Sequence, residues 1–167
     1  MPIAQSLLPE YDHEMGTTRT LLEIVPEAHW SFKPHAKSMS LGDLASHIPR
    51  VLSIWGITTL KETGFEMNPA GGVERPKIDS VASLLALYDE AVQSVRAALA
   101  ATSDEEMMVP WTLTRDGQAL FSFPRVAVFR SFILNHIIHH RGQLSVYLRL
   151  QDVPLPSIYG PSADTPV

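Results

Sequence analysis

The stretch Asn135-His136-Ile137-Ile138-His139-His140-Arg141-Gly142-Gln143 decides the reading of this 167-residue chain. At about 100° per residue, His136 and His140 project from nearly the same face of a helix, so both imidazoles can reach one ion. Phe129, Ile133, Ile137, Leu144, Tyr147 and Leu148 recur around them at helical spacing. The segment from about Pro124 to Gln151 therefore reads as an amphipathic helix whose core-facing stripe contains both histidines. Two readings of the pair stand side by side. It is half of a divalent metal site, or it is a hydrogen-bonded pair of core histidines, since a chain with seven His can place two at i and i+4 by chance.

A metal reading needs a ligand from elsewhere, and the best candidate is His47 in Leu41-Gly42-Asp43-Leu44-Ala45-Ser46-His47-Ile48. Three neutral histidines leave a coordination position open, as catalytic rather than structural zinc sites do. Asp43, one turn before His47, either orients that ring or caps the helix. Pro49 lacks the N–H that would reach the Ala45 carbonyl and its ring crowds the preceding turn, which predicts a kink near His47. His139 lies roughly 60° from His136 around the helix, at the edge of the stripe, and suits a supporting or surface role. His13, His29 and His35 read as local capping, packing or solvent contacts.

Working outward, three more helices are expected. The first starts near Pro9 and carries Tyr11, Met15, Thr18, Leu22 and Val25 before Pro26 stops it. A loop through Trp30, Pro34 and His35 leads to Ser40, an N-cap with Asp43 three residues on. The second helix presents Leu41, Leu44, Ile48, Val51 and Trp55, and Gly64 with the Pro69-Ala70-Gly71-Gly72 loop closes it. Asp79 or Ser80 caps the third, whose stripe is Val81, Leu84, Tyr88, Val92, Val95 and Leu99. Between the third and fourth helices, Asp116-Gly117 sits between short β-prone runs, a hairpin signal because a type I′ turn needs positive φ at both central residues. The expected fold is thus all-α, a four-helix bundle with a long crossover and a small β-hairpin between helices three and four. No internal repeat or low-complexity run is present.

The length fits one domain over residues 1–167, and 45% hydrophobic residues suffice for a sizeable core. A formal net charge of −5 with no Lys/Arg run argues against nucleic acid as a partner. Zero cysteines exclude disulfides, thiolate metal sites and Cys nucleophiles, in keeping with a reducing compartment. The N-terminus has no basic region followed by an apolar run, and no stretch approaches the roughly 18 apolar residues of a membrane span, so a cytoplasmic location and no membrane partner are expected.

Three segments give the chain a family likeness: Leu44-Ala45-Ser46-His47-Ile48, the Asn135–Gln143 stretch, and the tail Pro156-Ser157-Ile158-Tyr159-Gly160-Pro161-Ser162-Ala163-Asp164. With the region from Glu10-Tyr11 to Pro34-His35, they make the whole chain resemble the DinB-like proteins, also called YfiT-like metalloenzymes. The resemblance implies His47, His136 and His140 as metal ligands, an up-and-down bundle with a long crossover, and a homodimer. Pro49 departs from the more usual residue after the first histidine. Relatives in the wider superfamily include transferases and isomerases that use low-molecular-weight thiols such as bacillithiol or mycothiol.

A His₃ site would acidify a bound water or polarise a substrate oxygen or thiol. Position 137 is Ile, so the HExxH general base of metalloproteases is missing and a peptidase is not expected. Arg141, about 140° from His136 around the helix, reads as a structural or interface residue, and Gln143 as one that could orient a substrate or partner group. The function expected is a metal-dependent enzyme, a thiol-dependent transferase or a small-molecule hydrolase, using Zn or Ni first and Fe, Mn or Co as alternatives. Its partners would be a small-molecule substrate and a second copy of the chain. A non-catalytic metal- or ligand-binding stress-response protein is the alternative, and a helical dimerisation module with core histidines is the third reading. The sequence names neither the metal, the substrate nor a general acid or base.

Overall fold

Pro2 opens the first helix, α1 (Ile3–Glu23), six residues ahead of the expected start at Pro9. In the computed structural model, which describes residues 1–68, 72 and 76–165, Pro9 lies within α1 on its exposed face. The missing Pro9 N–H leaves a carbonyl that water can reach, so the penalty of an interior proline is softened. Two further features hold the early turns. Ala4, Leu7 and Leu8 are buried, and the Ile3 N–H donates to Asp104 Oδ1 at 2.7 Å.

A 3-10 turn (Glu27–His29) and an irregular stretch lead to α2 (Leu41–Arg50). Ser40 caps it, its Oγ accepting from the Asp43 N–H at 3.1 Å and donating to Asp43 Oδ2 at 2.7 Å. Asp43 thus takes the capping role. Pro49 does not end the helix. The chain winds on from 41 to 61 without interruption, through a π-helical segment (Val51–Gly56) and α3 (Ile57–Lys61), and the Val51 N–H is shared between the His47 and Ile48 carbonyls. The helix thus neither starts nor breaks at Pro49, and its winding changes two residues later, at Val51.

Gly64 forms no helix end but opens a short strand, β1 (Gly64–Glu66). A Cβ at Gly64 would stand 2.4 Å from the Thr112 carbonyl oxygen, so only glycine allows this approach. Of the expected Pro69-Ala70-Gly71-Gly72 loop, residues 69–71 lie outside the described residues. Ser80 then caps α4 (Val81–Ala101) in a capping box with Ser83. Leu84, Tyr88, Val95 and Leu99 are buried as the stripe predicts, and Val81 and Val92 are half-buried.

A short helix not anticipated from sequence, α5 (Asp104–Met108), follows, closed by a Ser103/Glu106 capping box. The Ser-x-x-Glu pattern at 103–106 was its legible signal. The expected hairpin is present as β2 (Pro110–Arg115) and β3 (Gln118–Pro124), antiparallel, turning through Asp116 and Gly117 at φ 53° and 75°. The sheet has one strand more than expected, because β1 pairs in parallel with β2, in the order β1-β2-β3. Glu66 accepts from the Asp116 and Gly117 N–H groups and so ties β1 to the hairpin turn.

The last helical run spans 125–149 as α6 (Arg125–Val128), a second π-helical segment (Phe129–Leu134) and α7 (Asn135–Arg149). α1 packs on α4 and α7, α2 on α4 and α7, and the two π-helical segments on each other. The protein is mostly helical with a small three-stranded sheet. Its main apolar core draws on residues from Ala4 to Leu148, and Trp111, Leu113 and Val128 form a second cluster under the sheet. No helix among the described residues is long and apolar enough to cross a membrane.

Candidate metal centre

His47 lies four residues before the first π-helical segment, which begins at Val51, and His136 two residues after the second, which ends at Leu134. Such wide turns recur at functional sites, where they shift the rotation of the side chains beyond them. Packing of α2 against α7 brings the rings together: His47 Nε2 stands 3.1 Å from His136 Nε2. His140 joins them, its ring centroid 4.5 Å from that of His47 and 4.6 Å from that of His136. One ring nitrogen from each of the three lies within 4.8 Å of the others. Nitrogens facing at 3.1 Å either share one proton or converge on one ion.

Chemistry and geometry both fit a divalent cation. A metal requires neutral imidazole, and partial burial, reinforced by the charges of His140 and His139, pushes His136 down to about 4. Burial lowers His140 as well, opposed in part by its bond to Gln143. That bond, His140 Nδ1 to Gln143 Oε1 at 2.8 Å, makes Nδ1 the protonated nitrogen and leaves Nε2 its lone pair. The 3.1 Å separation is what two nitrogens about 2.0–2.1 Å from one ion adopt.

His47 and His136 also line a cleft of about 450 Å³, whose other walls are Met39, Asp43, Arg50, Val51, Ile54 and Trp55. This volume suits a small molecule. Sequence reasoning overlooked Arg50 and the apolar wall, although Asp43, His47, Arg50 and Ile54 follow one another at helical spacing. Gln143, which the sequence offered as a residue that could orient a substrate or partner group, contacts His140 Nδ1.

The remaining candidates sit apart. His139 is exposed, packing edge-on against His140 at 5.0 Å between ring centroids. His35 Nδ1 accepts from the Lys37 N–H, His13 lies over Tyr159, and His29 is exposed in the 3-10 turn. Arg141 is structural, as its angle on the helix implies. It is 1% exposed, pairs with buried Glu14 at 2.7 Å, and donates to the Tyr159 hydroxyl at 2.5 Å. That hydroxyl lies 2.8 Å from both Glu14 carboxylate oxygens and donates to them.

Together these features define a mostly helical protein with a histidine cluster beside a cleft. The chain belongs to the DinB family, whose profile matches residues 2–166. Its fold is similar to that of a DinB-like protein from Bacillus subtilis, with 23% identity and a TM-score of 0.69 over 92% of this chain and 96% of that one. A DinB-like protein from Bacillus cereus is similar at 22% identity and a TM-score of 0.70, covering 95% and 98% of the two chains. No curated protein matches the chain.

Proposed function

We propose that this chain is a metal-dependent enzyme acting on a small molecule, with His47, His136 and His140 holding one divalent ion that keeps a position open toward the cleft. The observation that carries the reading is the convergence of three imidazole nitrogens at the cleft wall, two of the rings lining it. In this reading the helical runs 3–23, 41–61, 81–101 and 125–149 form an up-and-down four-helix bundle, and the site lies between the second and fourth. A bound ion would supply Lewis-acid polarisation of a substrate oxygen or thiol. The residues of the chain do the rest: burial keeps His136 unprotonated, Gln143 holds the His140 proton on Nδ1, and the apolar wall receives the body of the substrate and limits water. The reaction classes this arrangement suits are transfer to or from a low-molecular-weight thiol and small-molecule hydrolysis. Zn and Ni are the first choices of metal for three imidazoles, with Fe, Mn and Co compatible. A homodimer completes the proposal.

The test is elemental analysis and calorimetric metal titration of untagged protein. One ion per chain is expected for the wild type, with affinity falling steeply in His47→Ala, His136→Ala and His140→Ala. Loaded protein should then conjugate a thiol to an electrophile or hydrolyse a member of a small ester and amide panel, and His47→Ala should not. Metal binding that is absent, or indifferent to these histidines, would overturn the proposal.

A further inference from the structure

Arg50 lies three residues beyond His47 on α2, and its side chain lines the cleft that His47 and His136 also line. Its environment differs from that of most arginines here. Arg19, Arg96, Arg130, Arg141 and Arg149 each meet a carboxylate. Arg50 takes part in no ion pair among the described residues; its Nη2 donates to the Pro76 carbonyl at 3.2 Å, while its Nε is buried and has no hydrogen-bond partner among them. A buried guanidinium N–H without an acceptor is costly and calls for an explanation. Arg125 also has an unpaired buried Nε, but its two terminal nitrogens bind the Glu106 and Glu62 carbonyls and close a structural clamp away from the cleft. Among the described residues Arg50 is tethered by Nη2 alone, and its side chain lines the cleft; the buried Nε becomes available to a ligand when the guanidinium turns toward that space.

The cleft has one acidic wall residue, Asp43, seven positions earlier, whose carboxylate accepts from Ser40 Oγ at the helix cap. Apart from Asp43, Arg50 and the two histidines, the wall is apolar, formed by Met39, Val51, Ile54 and Trp55. A planar fork of donors beside an apolar wall is the arrangement that recognises an oxyanion carried on a hydrocarbon body. We propose that Arg50 is the anion-recognising residue of this cleft, and that its ligands are small molecules bearing a carboxylate or phosphate on an apolar body. The anion is held by Arg50, and a second donor of the same molecule faces the histidine cluster. The second half of this proposal rests on the metal-centre reading above; the recognition by Arg50 does not.

Calorimetric titration of wild-type protein, metal-free and Zn-loaded, with 3-phenylpropanoate, phenyl phosphate and neutral 3-phenylpropanamide tests it. At least one anion should bind, and the amide should bind about tenfold or more weakly; the preferred anion separates carboxylate from phosphate. Arg50→Gln should weaken the anion about ten- to a hundredfold while leaving zinc stoichiometry unchanged, and Arg50→Lys should fall between, keeping the charge but not the fork. Failure of the metal reading would show as missing zinc binding with the Arg50 dependence intact in metal-free protein. Equal binding of anion and amide, no binding of either anion, or an Arg50→Gln variant that binds like wild type would each overturn the proposal. If circular dichroism shows Arg50→Gln unfolded, the anion-to-amide comparison on metal-free wild type decides alone.

Discussion

His140 Nδ1 and Gln143 Oε1 are 2.8 Å apart, and because an amide oxygen only accepts, this contact places the ring proton on Nδ1 and leaves Nε2 with its lone pair. Gln143 sits three residues on, so the pair is local to one helical turn and forms wherever α7 forms. Replacing Gln143 with Leu keeps the bulk and removes the acceptor. Metal affinity should fall about 10–100-fold, and the folded content should stay at the wild-type level. Zinc titration against a competing chelator, with circular dichroism alongside, measures both.

His136 provides a pH dependence with a definite sign. In the unfolded chain it takes a proton near 6.5, whereas in the fold burial and the neighbouring His140 and His139 delay protonation to about 4. Between those values the unfolded state binds more protons, so stability falls as pH drops from 6.5 toward 4, and this residue causes no further loss below it. Urea midpoints of metal-free protein should decline over that window, and His136→Gln should flatten the decline. A profile unchanged by the substitution would assign the acid sensitivity elsewhere.

Glu14 and Arg141 form a buried pair, 6% and 1% exposed, closed by the Tyr159 hydroxyl of the C-terminal tail. Removing one member leaves an uncompensated buried charge. Glu14→Ala is expected to lose about 3–5 kcal/mol of stability, and Tyr159→Phe, at a largely exposed residue whose loss leaves Glu14 paired with Arg141, about 0.5–1.5 kcal/mol. Chemical denaturation ranks the two, with Glu14→Ala the more damaging.

Gly42 carries a packing constraint rather than a conformational one. A Cβ there would fall 1.2 Å from Trp30 Cδ1, and the Gly42 N–H donates to the Trp30 carbonyl at 2.9 Å. Gly42→Ala must push the indole out of its seat, at about 1–3 kcal/mol. Trp30→Ala in the same background should recover part of that loss. Thermal melts of the single and double variants report the coupling, and additive effects would show that the indole does not obstruct position 42.

Much of the fold was legible because its signals are local. The stripes of α2, α4 and α7, the Ser40 and Ser80 caps and the Asp116-Gly117 turn each depend on residues within a few positions of one another. Pro9 misled because its helix penalty depends on exposure and on a cap supplied by Asp104, about a hundred residues away. β1 was invisible for a related reason: a three-residue strand has no periodicity of its own and exists through pairing with β2.

The sequence by itself determined the predominance of helix, the His136/His140 pair on one face and the likeness that named His47, because spacing along a helix and motif composition are properties of the chain. Only the tertiary structure decided that His47 meets the pair across 89 residues, that Arg141 is neutralised by Glu14, and that Arg50 lines a cleft while its buried Nε has no hydrogen-bond partner among the described residues. Those outcomes depend on how helices rotate and slide as their apolar faces pack, and on the two π-helical turns that reset that rotation.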